Sequence, residues 1–379
     1  MKLLKHNKIV SPGIIYFEGI RGYVATGDMD EVGNLSSVGV DYMGRPSRAN
    51  QETKFGDVIF ARMANTVKVR EISKDDEKLI FSTGFCVLRP DKKEVESRYL
   101  YHYLKTHYFQ RKKDNLCTGA TQKAITNDKL DEIELPLPRI DIQRHIATIL
   151  DKADDIRRKR QESIRLIEEY IRAVFLDMFG DPAINPKGLD KAPIKELGSV
   201  MTGNTPPRER AEYYGDGVEW IKSDNINTPY HFLTEAKERL TAEGQKVGRT
   251  VPKKSILVTC IAGSPDCIGN AAITDRAVAF NQQINAVSSF QGVDPYFLYV
   301  QILVAKKLIQ QQSTESMKGM VSKGKFENIL FLNPPYPLQE KFGKVFKKWH
   351  DVFLKNNDVL SESNNLYGSL TQKAFKGEL

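Results

Sequence analysis

The chain carries an internal repeat. Shifted by 196 residues, Lys129-Leu130 falls on Lys325-Phe326, Ile133 on Ile329, Pro138 on Pro334, Gln143 on Gln339 and Phe179 on Phe375, with no gap. The match runs roughly from residues 121–179 to residues 317–375. A gapless repeat constrains the fold more than any local motif, because both copies must adopt one structure and find the same kind of neighbour. Two copies of one unit predict two similar surfaces on one polypeptide, a design suited to reading two things at once.

Each copy opens on a proline linker and continues as a long helix. Leu135-Pro-Leu-Pro138 stops whatever precedes it, since proline fixes φ and lacks an N–H. A helix is predicted from about Asp141 to Phe179, ended by Gly180-Asp181-Pro182. Its apolar residues include Ile142, Ile146, Ile149, Ala153, Ile156, Ile164, Ile167, Ile171, Val174 and Met178. Most steps are threes and fours, the seam of a coiled coil. The charged run Asp154–Arg160 suits solvent. The second copy predicts a helix from about Leu338 to Phe375, with the seam Leu338, Phe342, Val345, Trp349, Val352, Leu360, Tyr367, Leu370 and Ala374. Arg160 interrupts the first seam and Asn356 the second, at matching positions. A polar residue there costs stability but can fix register and partner.

At about 1.5 Å per residue each helix would be on the order of 55–60 Å long, and it cannot bury its seam alone. The simplest arrangement pairs the two helices with each other. Pseudo-twofold symmetry makes that pair antiparallel. The expected fold is therefore α+β: two related mixed domains, at 1–138 and 181–336, separated by long helices within 139–180 and 337–379. The first domain carries β-like runs at Asp57-Val-Ile-Phe-Ala61 and Phe85-Cys-Val-Leu88, then a helical stretch over about 97–112. Its tyrosines Tyr99, Tyr101, Tyr103 and Tyr108 suit a helix packed on a sheet better than a base-stacking surface. The second domain has the same order, with Val218-Glu-Trp-Ile221, Ile256-Leu-Val-Thr259 and a helical stretch at Pro295–Gln310. Tyr23-Val-Ala-Thr-Gly-Asp-Met29 matches Trp220-Ile-Lys-Ser-Asp-Asn-Ile226, and Leu100-Tyr101 matches Leu298-Tyr299. The offset drifts slightly, so the two domains are related but diverged.

Composition narrows the class. With 379 residues and 40% hydrophobic content the chain can pack two or three cores. No stretch approaches the about 18 apolar residues of a membrane span, and the N-terminal Met1–Val10 lacks the apolar core of a signal peptide. A cytoplasmic location and no membrane partner are expected. Cys86, Cys117, Cys260 and Cys267 form no CxxC pair, and no histidine completes a zinc spacing, so the thiols are structural and no metal is expected. A net charge of +8 permits, without requiring, attraction to a polyanion such as nucleic acid.

The chain resembles the specificity (S) subunits of type I restriction–modification systems, the HsdS family. The resemblance rests on Leu135-Pro-Leu-Pro138 leading into Asp141-Ile-Gln-Arg-His-Ile146, and on Pro334-Pro-Tyr-Pro-Leu-Gln339 leading into Glu340-Lys-Phe342. Gln372-Lys-Ala-Phe-Lys-Gly-Glu-Leu379 and Thr202-Gly-Asn-Thr-Pro206 add to it. It covers nearly the whole chain through the order and duplication of these motifs. It implies two target recognition domains, each reading half of a split double-stranded DNA sequence, and helices that set the unread gap. It also implies two methyltransferase (M) subunits, restriction (R) subunits, and no catalytic centre or cofactor on this chain. S-adenosylmethionine would sit on the M subunit. The first domain departs from the pattern, lacking a clear counterpart of Thr202–Pro206 within its first dozen residues.

Asn333-Pro-Pro-Tyr336 matches the motif with which N6-adenine methyltransferases hold a flipped base. A free-standing methyltransferase would also need a glycine-rich loop after a strand, and the chain has none. The repeat sets Asn333–Tyr336 on Leu137–Ile140, the helix-leading linker. A coiled-coil scaffold without a DNA role would leave two globular domains without a task. Gly263-Ser-Pro-Asp-Cys-Ile-Gly269 lacks a Walker lysine and suits a tight turn between strands. Its counterpart, Arg62–Lys68, offers Arg62 and Lys68 to phosphates and Asn65 to adenine edges, with Ser264 in the second domain. Thr121, Gln122 and Lys123, and in the second copy Lys318 and Lys323, form further candidate phosphate loops. Lys222, Asn225, Gln282 and Gln283 complete the candidates.

Overall fold

The computed structural model describes residues 1–379 apart from Thr121, Pro229 and residues 315–318. Two compact units emerge, Met1–Gln161 with Asp358–Leu379, and Glu162–Asn357. The central helix, Ile140–Phe179, and the terminal helix, Tyr336–Lys376, are each divided between them.

In the first unit an inner antiparallel sheet runs in the order Asn7–Ile9, Phe85–Pro90, Val58–Ala61, Val69–Glu71. An outer sheet runs Val38–Val40, Arg21–Val24, Ile80–Ser82, Ala49–Gln51. Its middle pair is parallel, with Tyr23 opposite Ile80 and Val24 opposite Phe81. The sequence explains the layering. Val58-Ile-Phe-Ala61 is buried throughout, and alternate strand residues face opposite sides. Val58 and Phe60 share a core with Tyr99, Leu100, Leu104 and Phe109. Ile59 and Ala61 share another with Val24 and Phe81 of the outer sheet and with Met29. An unbroken apolar run is what a strand covered on both faces needs.

The helical stretch expected over 97–112 is two helices, Ser97–Lys105 and His107–Leu116. Thr106 breaks it and caps the second, its hydroxyl accepting from Phe109 N at 3.0 Å. Tyr99, Tyr101 and Tyr103 are buried as expected of packing residues, whereas Tyr108 is exposed. The Tyr99 hydroxyl donates to the linker carbonyl of Pro136, and the Tyr103 hydroxyl to Glu134 O just before the linker.

The second unit repeats the plan. Its inner sheet runs Gly198–Thr202, Ile284–Ser289, Ile256–Thr259, Ala271–Ile273, and its outer sheet Arg239–Leu240, Tyr214–Ile221, Val278–Phe280, Thr250–Val251. The parallel pair recurs, with Trp220 opposite Ala279 and Ile221 opposite Phe280. Tyr23-Val24 and Trp220-Ile221 thus hold equivalent places. The first domain lacks the Thr202–Pro206 motif, yet Asn7–Ile9 fills the equivalent strand position against Phe85–Pro90.

Linker and helix are joined in both units by one glutamine. The buried Gln143 amide accepts from Glu96 N at 3.0 Å and donates to Pro138 O and Glu94 O, both at 2.8 Å. At the repeat position, buried Gln339 accepts from Asp294 N at 3.1 Å and donates to Pro334 O at 2.7 Å. A side-chain amide offers an acceptor and two donors, which suits the orphan groups where a proline linker meets a helix.

The helix segments pack antiparallel within each unit. In the first, Ile146, Ala147 and Leu150 share a core with Tyr367, Leu370, Ala374 and Phe375. In the second, the rings of Phe175 and Phe179 lie 5.5 and 5.7 Å from Phe342, and Trp349 Nε1 donates to Ile167 O at 2.5 Å. Of the expected seam, Ile146, Ala153, Phe342 and Trp349 are buried, and Ile149, Ile164, Ile167, Val345 and Leu360 half-buried. Ile156 and Val352 do not belong to it; they are 52% and 49% exposed. These are repeat partners, and the reason is shared: each helix also packs against a sheet-bearing domain, which turns the buried stripe toward its neighbours. Phe353 goes in where Val352 was expected, 5.0 Å from the His231 ring. Beside Ile156, Asp154 is buried rather than solvated, and accepts from Arg157 and Arg158 with Lys105 3.6 Å away. Burial alone would raise the Asp154 pKa, but these three cations hold it below the usual carboxylate range. Arg160 is exposed, and Asn356 donates back to Val352 O of its own helix at 2.8 Å.

Gln143→Ala takes a partner from the Glu96 N–H and from the Pro138 and Glu94 carbonyls, all part-buried, and at about 1 kcal/mol for each lost bond urea unfolding should show a loss of roughly 2–4 kcal/mol. Arg160→Ala should stay within about 0.5 kcal/mol of the parent. His231 lies among Tyr299, Trp349 and Phe353, and burial, with His350 and Arg172 adding to it, lowers its pKa from 6.5 to about 3. The unfolded chain therefore binds a proton that the folded chain refuses. The His231 contribution should be complete above pH 6.5 and fall away as pH drops toward about 3. His231→Gln should flatten the unfolding free energy over that window.

Candidate nucleic-acid interface

In each unit the two parallel strands of the outer sheet end together. Arg21–Val24 leads into the turn Thr26–Asp28, and Ile80–Ser82 into Thr83-Gly84. The equivalents are Tyr214–Ile221 leading into Ser223–Asn225, and Val278–Phe280 leading into Asn281-Gln282-Gln283. Loops converge where parallel strands end, which makes such a rim a natural contact surface.

On the first rim the turn after Val58–Ala61 joins these ends. Arg62 N donates to Gly84 O at 3.0 Å, and Lys68 Nζ to Thr26 O at 2.7 Å. The loop before the linker docks alongside: Ala64 N donates to Lys123 O at 2.9 Å, and Ile125 N to Arg62 O at 3.0 Å. The fold thus gathers Arg62, Asn65, Lys68, Gln122 and Lys123. Asn65, Gln122 and Lys123 are exposed, while Arg62 is half-buried and spends one donor on Ile125 O. Thr121 lies outside the described residues.

On the second rim, Cys260 N and Ile261 N donate to Gln283 O at 2.8 and 3.1 Å. The Gln283 side chain accepts from Asn281 Nδ2 at 3.1 Å and the Ser223 hydroxyl at 3.4 Å. Thr205 donates to the Gln282 side chain, and Asn270 Nδ2 to Asn227 Oδ1 at 2.8 Å. Ile261–Ala262 pairs with Gly319–Met320, the counterpart of the Met63–Ala124 bridge. Ser264 is exposed at the turn beyond, which carries the short helical turn Pro265–Cys267 between strands. Lys323 opens the helix Lys323–Glu327, 3.7 Å from Glu327. Lys318 lies outside the described residues.

Two expected contacts are corrected. Asn225 is buried, its amide donating to Thr234 Oγ1 and Glu235 O and accepting from Lys222 N, so it holds the loop and offers nothing to a ligand. Lys222 is bound to Glu238 and lies 5.1 Å over the Trp220 ring, with Arg208 on the same carboxylate at 2.6 Å. Its charge is therefore answered within the domain.

Some rim residues had not been singled out. Thr26 and Ser223 were within reach, because the matched peptides Tyr23–Met29 and Trp220–Ile226 set one hydroxyl on the other. Thr205, Asn227 and Asn270 come together only through tertiary structure. The first domain also exposes a ledge that no motif announces. Tyr16 and Phe17 meet Tyr42 edge-on at 5.0 and 5.6 Å, with the guanidinium groups of Arg21 over Phe17 and Arg45 over Tyr42.

Asn333, the one tempting catalytic residue, is linker. Its N–H donates to Asp190 O at 2.7 Å, and its side-chain oxygen accepts from Gln339 at 3.4 Å. Among the described residues no cluster of His, Cys, Asp and Glu could hold a metal, and no helix is long and apolar enough to cross a membrane. The four cysteines are unpaired, and burial pushes the thiols of Cys86 and Cys260 up to about 11 and about 12.

The model of the type I restriction modification DNA specificity domain matches twice, over residues 10–166 and 186–361. The chain belongs to this family. It is 22% identical over 424 aligned residues to the type I restriction enzyme HindI specificity subunit of Haemophilus influenzae, covering 88% of this chain and 89% of that one. The EcoKI specificity subunit of Escherichia coli K12 is 22% identical, with 78% and 68% covered. The S subunit of a type I restriction–modification system from M. genitalium shares the fold, with a TM-score of 0.60 at 15% identity over 99% and 95% of the two chains. A chain from a type I R-M assembly does so with a TM-score of 0.54 at 18% identity, each chain fully covered. The chain is accordingly a DNA-target specificity subunit, and its family role is recognition rather than catalysis.

The rim geometry separates two lysines. Each phosphate contact adds about one to the slope of log K against log salt. Lys123→Ala should lower the slope by about one for the full chain on a random-sequence duplex. Lys222→Ala, whose charge Glu238 already answers, should leave it nearly unchanged.

Proposed function

We propose that the chain reads a bipartite double-stranded DNA sequence, one half-site through residues 1–138 and the other through residues 181–336. The observation that carries this reading is the pair of rims: same build, different chemistry. The first presents Asn65, Gln122 and Lys123, the second Ser264 and Gln282, with Gln283 half-buried beside them. A single continuous site would not need the same scaffold twice.

The long helices set the unread gap and dock two M subunits, with R subunits completing the restriction enzyme in the cytoplasm. Support for two docking surfaces comes from exposure repeated at matching positions. Ile156 and Val352 form one exposed pair, and Tyr170 and Leu366, at 57% and 55%, form another. In the second unit an apolar groove of about 510 Å³ lies between the helices, lined by Leu166, Tyr170, Val345, Trp349 and Val352 among others. Adenine methylation belongs to the M subunit, which brings S-adenosylmethionine.

Mapping methylated adenines in the host genome should give two short half-sites separated by a fixed gap. Exchange of residues 1–138 for those of a relative should change one half-site and leave the other and the gap intact. A change in both would refute the modular reading.

A further inference from the structure

A buried lysine sits beneath the first rim with no part in the contacts assigned so far. Lys113, on the helix His107–Leu116, is fully buried. Its ammonium donates to Met63 O at 3.0 Å and Thr66 O at 2.8 Å, the two ends of the turn that carries Asn65. Its neighbour Asp114 lies 3.5 Å away and accepts from Asn65 N at 3.0 Å. Two consecutive helix residues thus hold three backbone groups of one turn. Asn65 itself has φ 55°, the left-handed region that asparagine tolerates better than most residues, and its side chain is exposed at the tip.

A buried ammonium is costly unless its donors are satisfied. Burial lowers the Lys113 pKa, with Asp114 opposing the shift. Packing alone would have been served by an apolar residue, so the charge has another use. Three donors on one atom can tie carbonyls that no strand or helix partner reaches.

The second domain braces a turn with a different lysine, one that is half-buried. Lys306, at the start of the helix Lys306–Gln310, donates to Asp266 O at 2.6 Å and Asn270 Oδ1 at 2.5 Å. Gln310 Nε2 adds a bond to Pro265 O at 3.2 Å. These carbonyls belong to the turn that exposes Ser264 and Asp266. The two lysines are not repeat partners: at the offset that sets Leu100 on Leu298, Lys113 falls on Gln311. The bracing is shared although the position is not.

We propose that Lys113 and Lys306 are positioning residues for the two reading turns, each fixing one turn so that its tip, Asn65 in one and Ser264 with Asp266 in the other, meets base edges of one half-site. This rests on the bipartite reading above. Neither lysine touches DNA. Each acts on one half-site because its bonds stay within one unit.

The test maps genomic adenine methylation by variants of the full chain coexpressed with its methyltransferase partner. Lys113→Met should broaden only the half-site that exchange of residues 1–138 alters, and Lys306→Met only the other, with the gap unchanged. Asn65→Ala should broaden the same base position as Lys113→Met, with discrimination there reduced about 10- to 100-fold. A merely structural lysine would lower methylation evenly and leave both consensus sequences intact, and that result would overturn the proposal. If Lys113→Met fails to fold, Asp114→Ala releases the Asn65 N–H at a partly exposed position. It must then broaden the same half-site, and an unchanged consensus would overturn the assignment. If domain exchange changes one half-site but the lysine variants change neither, this inference alone fails. If domain exchange changes neither half-site, the bipartite reading fails with it.

Discussion

The fold depends on burying a helix stripe that a single helix cannot cover. Each long helix presents more apolar residues than one partner helix can take, and both the partner helix and a sheet-bearing domain share the task. In the first unit Ile146 and Leu150 meet Tyr367 and Phe375, and the same core holds Tyr99, Leu100 and Leu104 of the domain. In the second, Phe175 stacks on Phe297 of the domain at 5.7 Å while meeting Phe342 of the other helix edge-on. Shared burial explains why the buried stripe is wider than a strict coiled-coil seam. The duplicated glutamine, Gln143 or Gln339, locks the point where linker becomes helix.

The parts of the sequence bound by this shared burial were the most legible. The long helices and their antiparallel sense follow from the periodicity and the constant offset. The strands Val58–Ala61 and Ile256–Thr259 follow from unbroken apolar runs. The seam was legible only in part, because heptad reasoning assumes one partner face. Ile156 and Val352 satisfy the period yet lie outside the stripe once the domain claims a share. The break at Thr106 was hidden for a related reason: the tyrosine spacing reads as one helix, while the break depends on a single capping hydroxyl.

The rims were legible as regions and not as residues. Turn chemistry marks Arg62–Lys68 and Gly263–Gly269, but it does not say which side chains point outward. Asn225 has the right chemistry for a base contact and is consumed by the loop it holds. Lys222 has the right charge and is neutralised by Glu238, a residue remote from it in sequence. Such losses are decided by tertiary partners, and a single sequence does not print them.

Divergence is confined accordingly. The linker, the glutamine clamp and the helix keep an invariant offset, and two clamp bonds recur in both copies: Glu96 N and Asp294 N to the glutamine oxygen, and the glutamine amide to Pro138 O and Pro334 O. The turns above the parallel strands are free of that requirement. They change length, Thr83-Gly84 against Asn281-Gln282-Gln283, while keeping the bond that ties them to the adjacent strand, Arg62 N to Gly84 O and Cys260 N to Gln283 O. A recognition turn faces a harder constraint than length. If it were loose in the free chain, ordering it on DNA would cost on the order of 1–2 kcal/mol per backbone residue, and every sequence would incur that cost equally. Discrimination between bases survives only if the tip is already placed. In the role proposed for it, Lys113 would supply that placement from the helix beneath without occupying the surface, and would leave the tip residue free to change. That separation of support from contact allows one frame to carry two different readers.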